Sequence, residues 1–432
     1  MKKYLLYLVA VILFSPMAAD PGHDASCAKG IVLFQKAWRE SHDFSWLPLG
    51  GLRSYEDACN NDTDYRLYYS QMRATLESKV GNHADALRFN DWRGNSYYKT
   101  DELPPSVRAT PATPYIVERS LQHRFVVVNE RHHVGSDRLL TLELLEPLFE
   151  QGFRYLAVET QAHWDDINER GYPVASGGYY SNEVVFAQML RTALQFGYEI
   201  VPYEIEDSQR ASENPDEPIN RQVERELAQA KNIIARTVSK DSEAKVLVHC
   251  GYGHVRETKA SNWTTMAYFL KELSSRDPLT IDQVRLSERG SLTEEHPIRQ
   301  EALKRGLIGG SPVVLLDSTD ERVDVSASTD IEVFGVQTSY EHGRPSWMRM
   351  GGLREPVWFD TPKCVDQTCI LEAMDPSEGE HAVPYDRVEA KHAERIALFL
   401  PSNSQSNVRI LDLDTEILTE RPVSVGVPSV HE

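Results

Sequence analysis

Four apolar, β-branched stretches in the middle third of the chain each run into residues capable of acid–base chemistry. Phe125-Val126-Val127-Val128 leads into Asn129-Glu130-Arg131-His132-His133, Phe153–Val158 into Glu159, and Tyr198–Tyr203 into Glu204. Lys245–Cys250 carries His249 and leads into Gly251-Tyr252-Gly253-His254. Carboxylates and imidazoles perform general acid–base catalysis and ligate metals. Each residue alone has a plain alternative. Acids follow strands because loops are solvated, the histidine pair could lie exposed in a loop, and the two glycines could simply supply a turn. Recurrence at four consecutive strand ends is what points to one shared site, because ligands of parallel sheets bind beyond the carboxyl ends of the strands.

Helical patterns separate these strands. Arg138–Gln151 places leucines at 139, 142, 145 and 148 and stops at Gly152; Asn182–Phe196 stops at Gly197; Asn220–Val238 and Asn262–Ser274 follow. Pro312–Leu316 reads as a further strand. Alternating strands and helices imply an α/β fold with a mostly parallel sheet covered on both faces. Residues 20–115 read as a mostly helical segment, patterned around Ile31–Arg39 and Tyr65–Val80 and ending in the link Pro104-Pro105 to Pro114. Residues 116–327 form the α/β unit. From 328 to 432 short strand-like pieces (Val333–Val336, Val357–Phe359, Ile396–Leu400, Val408–Leu411) fit a small β domain.

Residues 1–19 carry Lys2-Lys3, an eleven-residue apolar run and the pair Ala18-Ala19, the order of a secretory signal peptide. The run is short of the roughly 20 residues that span a bilayer. The expectation is a periplasmic or secreted protein with no stable membrane insertion after cleavage. Net charge −19, from 46 basic and 65 acidic residues, disfavours nucleic acid and anionic membranes as partners. Export makes Cys27, Cys59, Cys364 and Cys369 disulfide candidates, with the pairing open, and leaves Cys250 inside a strand. A zinc site at Cys364 and Cys369 lacks a second close pair of ligands.

The segment 124–275 resembles the erythromycin esterase/ChaN-like superfamily, which includes the TIKI and TraB proteins. That pattern opens with a strand and Gly-Glu-x-His or Gly-Glu-x-Thr-His. Here Asn129 replaces the glycine before Glu130, and His132 and His133 each fit one spacing. Tyr155–Glu159 resembles the second strand, Arg225-Glu226 with Ala230-Lys231-Asn232 the helical motif, and Gly251-Tyr252-Gly253-His254 the last element. Glu204 stands where the family tends to place an acid. A side chain at Asn129 is expected to narrow the pocket or shift Glu130.

The resemblance implies an esterase-like hydrolase acting on an ester, a lactone or, as in the TIKI branch, a peptide bond. Glu130 with His132 or His133 would activate water, Glu159 would orient the base or bind substrate, and His254 would act as acid or steady the oxyanion. Arg225, Glu204, Tyr180 and His249 are candidates for substrate binding. No Gly-x-Ser-x-Gly elbow is present, which disfavours a serine nucleophile. A metal-dependent version would hold a divalent ion on His132, Glu159 and His254. The ChaN branch implies instead haem or iron binding, with Tyr179, Tyr180 and Phe186 available to line a slot. A member of the fold without catalysis is the remaining alternative.

Overall fold

The computed structural model describes residues 25–40, 45–91, 102–211, 220–259, 263–323, 325 and 328–425; the expected leader at 1–19 lies outside them. At its centre is a six-stranded sheet formed by β1 (Phe125–Glu130), β2 (Phe153–Val158), β3 (Glu199–Pro202), β4 (Lys245–Gly251), β5 (Leu279–Asp282) and β6 (Ile331–Glu332). The strands lie in the order β3-β2-β4-β1-β5-β6, every neighbouring pair parallel. Helices α1 (Arg138–Glu150), α2 (Val184–Phe196), α3 (Arg221–Arg236) and α4 (Met266–Ser274) cover it. This is the expected α/β class.

The strands are apolar throughout because both faces are covered. Val126 and Val128 of β1 pack with Leu140 and Leu144 of α1 and with Val185 and Met189 of α2. Phe125 and Val127 pack on the opposite face with Ile233 of α3 and Met266 of α4. Each fully buried side chain of this kind contributes roughly 1.5–3 kcal/mol relative to exposure. The glycine stops hold: Gly197 caps α2 at φ 93°, its N–H bonded back to Ala193 and Leu194, a backbone that disfavours any Cβ.

Three expectations need correction. The run Pro312–Leu316 does form a strand, Val313–Asp317, but it pairs antiparallel with Val107–Pro111 and not with the main sheet. The fifth parallel strand is β5, whose Leu-Thr-Ile-Asp sequence is short and half polar. Val333–Val336 is not a strand; the two residues before it form β6 and complete the edge of the main sheet.

Helices Ala25–Glu40 and Arg66–Lys79 match the expected helical patches, and the described C-terminal β region is a four-stranded antiparallel sheet with two separate two-stranded antiparallel pairs. These two ends of the chain meet. Cys27, Cys59, Trp46 and Tyr69 share a core with Ile370 and Leu411. Disulfides join Cys27 to Cys59 and Cys364 to Cys369, while Cys250 is free and buried. Two such bonds suit an oxidising compartment. Among the described residues no helix is long and apolar enough to cross a membrane.

Arg53 seals this junction. Its guanidinium holds Glu77 (Nη2 to Oε2, 2.6 Å) and Glu389 (Nη2 to Oε2, 2.8 Å), and Asn82 donates to both acids. Burial works to raise the Glu389 pKa, but the hydrogen bonds and charge of Arg53, with Asn82 and Lys391, hold it at about 2 against an ordinary 4.5. A depressed carboxylate stabilises the fold above its unfolded pKa and loses that contribution as pH falls through the folded one. The margin of the wild type over Glu389→Gln should therefore shrink by about 3 kcal/mol between pH 5 and pH 2. Urea unfolding of both proteins across that range checks it; a constant margin refutes the linkage.

Candidate functional site

The period of two along β1 sends Glu130 to the same face as Val126 and Val128, toward α1 and α2. There its carboxylate is fully engaged. Arg138, the first residue of α1, donates from Nε to Oε2 (2.7 Å) and from Nη2 to Oε1 (3.2 Å). His132 Nδ1 lies 2.9 Å from Oε1, and His249 Nε2 lies 3.0 Å from Oε2, off the direction of a good hydrogen bond. Burial pushes the Glu130 pKa up, yet Arg138 and His249, with the His132 bond, carry it well below the ordinary carboxylate range. Arg138 is itself fully buried, pairs through Nη1 with Glu183 (2.5 Å) and donates to the His132 carbonyl (2.8 Å). Glu183 caps α2 by accepting from the N–H groups of Val185 and Phe186.

With its Nδ1 facing Glu130, His132 presents Nε2 toward Gly251 at the end of β4. That nitrogen has no hydrogen-bond partner among the described residues. The ring stacks on Tyr180, centroids 3.8 Å apart and planes within 10°, with Tyr252 edge-on at 5.2 Å. A side chain at Gly251 would overlap His132 Cε1 and Nε2, so the closeness of the imidazole requires glycine there.

Glu159 occupies the other side of Gly251. Its Oε2 accepts the Gly251 N–H (2.6 Å), and its Oε1 meets Arg225 Nη2 at 2.5 Å. Burial raises its pKa, but His254, Arg225 and His132 outweigh it and hold the group well below the ordinary carboxylate range. Arg225, from the first turns of α3, also binds both oxygens of Glu204 (2.9 and 2.6 Å) and reaches His254 Nε2 at 3.0 Å. His254 Nδ1 lies 2.7 Å from Glu226, which also takes the N–H groups of Met266 (2.6 Å) and Trp263 (3.1 Å). A guanidinium only donates, so in this arrangement Nε2 accepts and the imidazole proton is on Nδ1. Burial lowers the His254 pKa and Arg225 lowers it further, but Glu159 and Glu226 more than offset both and raise it above the ordinary imidazole value; Glu159 Oε1, 3.6 Å away, faces that Nε2. Two Glu–His pairs, Glu130–His132 and Glu226–His254, thus flank the end of β4.

No protein-family model matches the chain, and no curated protein matches it. One solved structure, the type III effector HopBA1, aligns with 41% of this chain and 87% of its own at 18% identity and a TM-score of 0.30. An overlap at that score says nothing about this chain's chemistry.

Geometry separates the sequence-derived candidates. His132, not His133, pairs with Glu130; His133 is buried with Nδ1 3.3 Å from the Tyr252 hydroxyl. His249 lies behind Glu130, bonded to Thr141 Oγ1 at 2.9 Å and edge-on to Phe186, away from solvent. Glu204 braces Arg225, and Tyr180 covers His132. Asn129 turns toward β5: its amide donates to Asp282 (2.9 Å) and to the Tyr252 carbonyl (2.7 Å) and accepts from the Gln283 N–H (2.9 Å), while Glu130 keeps its partners. Tyr252 has a φ of 44°, a region costly for a bulky residue, and Asn129 clamps the carbonyl that follows.

The proposed metal ligands do not fit a metal. Among the described residues no three His, Cys, Asp or Glu side chains group as ligands. For His132, Glu159 and His254 the reason is Arg225, whose guanidinium already holds Glu159 and the lone pair of His254 Nε2. Of the aromatic candidates for a haem slot, Phe186 is core and Tyr180 is stacked on His132. Two participants escaped the sequence reading, Arg138 and Glu226. The spacing signal existed for Glu226, adjacent to Arg225 in the helical motif; Arg138 looked like an ordinary helix start.

Proposed function

We propose that this is an exported, periplasmic or secreted hydrolase that activates water without a serine nucleophile on an ester, lactone or peptide bond. The observation that carries the reading is His132, its Nδ1 tied to a buried anion and its Nε2 left with a hydrogen-bonding lone pair toward the site. This is the arrangement that makes an imidazole a general base. Glu130, held anionic, orients the ring and steadies the imidazolium; it is not itself the base. Water gives a proton to His132 Nε2 as its oxygen bonds to the carbonyl carbon, and the charge gathering on the carbonyl oxygen is met by Arg225. Collapse expels the alcohol or amine, which takes a proton from protonated His254, and the proton left on His132 returns through solvent to restore His254. Glu159 keeps Arg225 in place.

Turnover of a panel of nitrophenyl esters, lactones and peptides tests the reading. For any substrate cleaved, His132→Ala should lower kcat/KM by about 10²–10⁴-fold, the usual contribution of general base catalysis. The rate should also fall on the alkaline side as His254, raised above its ordinary 6.5, loses its second proton. Equal turnover by His132→Ala, or a panel left wholly uncleaved by the wild type, would sink the hydrolase reading.

A further inference from the structure

A second concave site lies on the outer side of α1 and α2, away from the strand ends. It is a cleft of about 560 Å³, the size of small-molecule pockets, between those two helices and the bent segment Ser346–Gly352. Leu139, Leu142, Phe196, Trp347 and Met350 give it an apolar floor. Its charges do not balance. Glu143 and Glu146, one turn apart on α1, both face the cleft. Glu143 accepts a hydrogen bond from Thr113 (2.6 Å) and has no basic partner; Glu146 has no ion-pair or hydrogen-bond partner among the described residues. The basic residue among those lining the cleft is Arg349, and its guanidinium is already held by Glu341 (2.7 Å) and Glu355 (2.5 Å).

We infer that this cleft binds a small organic cation with an apolar body, a quaternary or protonated amine whose charge meets Glu143 and Glu146 while its hydrocarbon covers the floor. The two parts of the ligand follow from two separate observations. An apolar surface of this size favours a hydrocarbon or aromatic body, and Phe196 and Trp347 among the lining residues are aromatic side chains of the kind that attracts an ammonium group. The unneutralised acids set the sign of the charge, since an anionic ligand would face two carboxylates with no free base among the described lining residues to offset them. Glu143 is exposed to the cleft, where partial desolvation by the wall raises its pKa and the Thr113 bond lowers it only in part. The inference does not depend on the hydrolase reading, because none of these residues belongs to the Glu–His pairs.

Hexyltrimethylammonium is the probe, with hexanesulfonate as the anion of matching length, titrated calorimetrically into the full mature chain. The cation should bind at least about tenfold more tightly than the sulfonate at low salt, and added salt should weaken it. The double variant Glu143→Gln/Glu146→Gln alters exposed side chains and should lose about tenfold in affinity with an unchanged melting temperature. Phe196→Ala should weaken the cation independently of charge. Equal affinity for the two probes, undiminished binding by the double variant, or no heat from the cation each overturns the inference. Unchanged ester, lactone or peptide turnover in the double variant separates this site from the strand-end site.

Discussion

Arg138→Met should cost about 3–5 kcal/mol of stability, with a fall in melting temperature of about 3–6 °C. The size follows from what the substitution leaves behind. Methionine fills much of the volume, so the loss is electrostatic. Glu130 and Glu183 are both buried, both bonded to this guanidinium, and among the described residues neither has another arginine or lysine at hydrogen-bond distance. Breaking a buried pair from one side strands the opposite charge in a medium that solvates it poorly. The deficit should depend on pH with a defined sign. Arg138 heads the influences that hold the Glu130 pKa below its ordinary range. Without it, burial dominates and Glu130 protonates at higher pH than in the wild type. The deficit is therefore full at neutral pH and narrows as acid protonates Glu130 in the variant. Adding Glu130→Gln to Arg138→Met should recover part of the loss, a coupling that a double-mutant cycle measures. A single variant within about 1 kcal/mol of the wild type would show that Arg138 is not the counter-ion of the site.

How much of this was legible beforehand depends on whether the information is local. β1 to β4 and the helices between them declare themselves because a strand covered on both faces must be apolar at every position, and glycines at 152 and 197 end the helices. Pairing partners are not local. Val313–Asp317 has the composition of a core strand, yet it joins Val107–Pro111, and nothing in its own residues distinguishes the two fates. β5 hid for the opposite reason: Thr280 and Asp282 are buried by satisfied hydrogen bonds, to Asp330 and Asn129, which hydropathy cannot anticipate.

The site shows the same division. Glu130, Glu159 and His254 are visible because they terminate strands whose ends must share an edge. The choice between His132 and His133 is not, since adjacent residues leave the backbone in different directions and only the fold decides which meets Glu130. Arg138 and Glu226 enter from helices, where the facing of a side chain depends on how the helix lies on the sheet. A refinement was still within reach: alternation along β1 places Glu130 on the face of Val126 and Val128, and the helix that follows directly is a natural source of its counter-ion.

Gly251→Ala should abolish most of the activity, a loss of about 10²-fold or more, through one added methyl group. Backbone strain is not the cause. Gly251 sits at φ −89° and ψ 145°, an ordinary extended conformation for alanine. The obstacle is His132, whose Cε1 and Nε2 occupy the place of the methyl, with Glu159 Oε2 a further 3.0 Å contact. The imidazole has nowhere to retreat: one face lies on Tyr180, and its Nδ1 is held by Glu130. The methyl must then break the His132–Glu130 bond, unstack the ring, or shift the Gly251 N–H off Glu159, and each outcome moves a group assigned to the chemistry. Overpacking of this kind costs about 1–3 kcal/mol of stability. The decisive measurement needs no substrate. In a His132→Ala background the obstructing ring is gone and the Glu159 contact alone remains, so adding Gly251→Ala should cost clearly less unfolding free energy than in the wild type. Equal destabilisation in the two backgrounds would mean that the ring of His132 does not lie against Gly251, and the assignment of its Nε2 as the proton acceptor would fall with it.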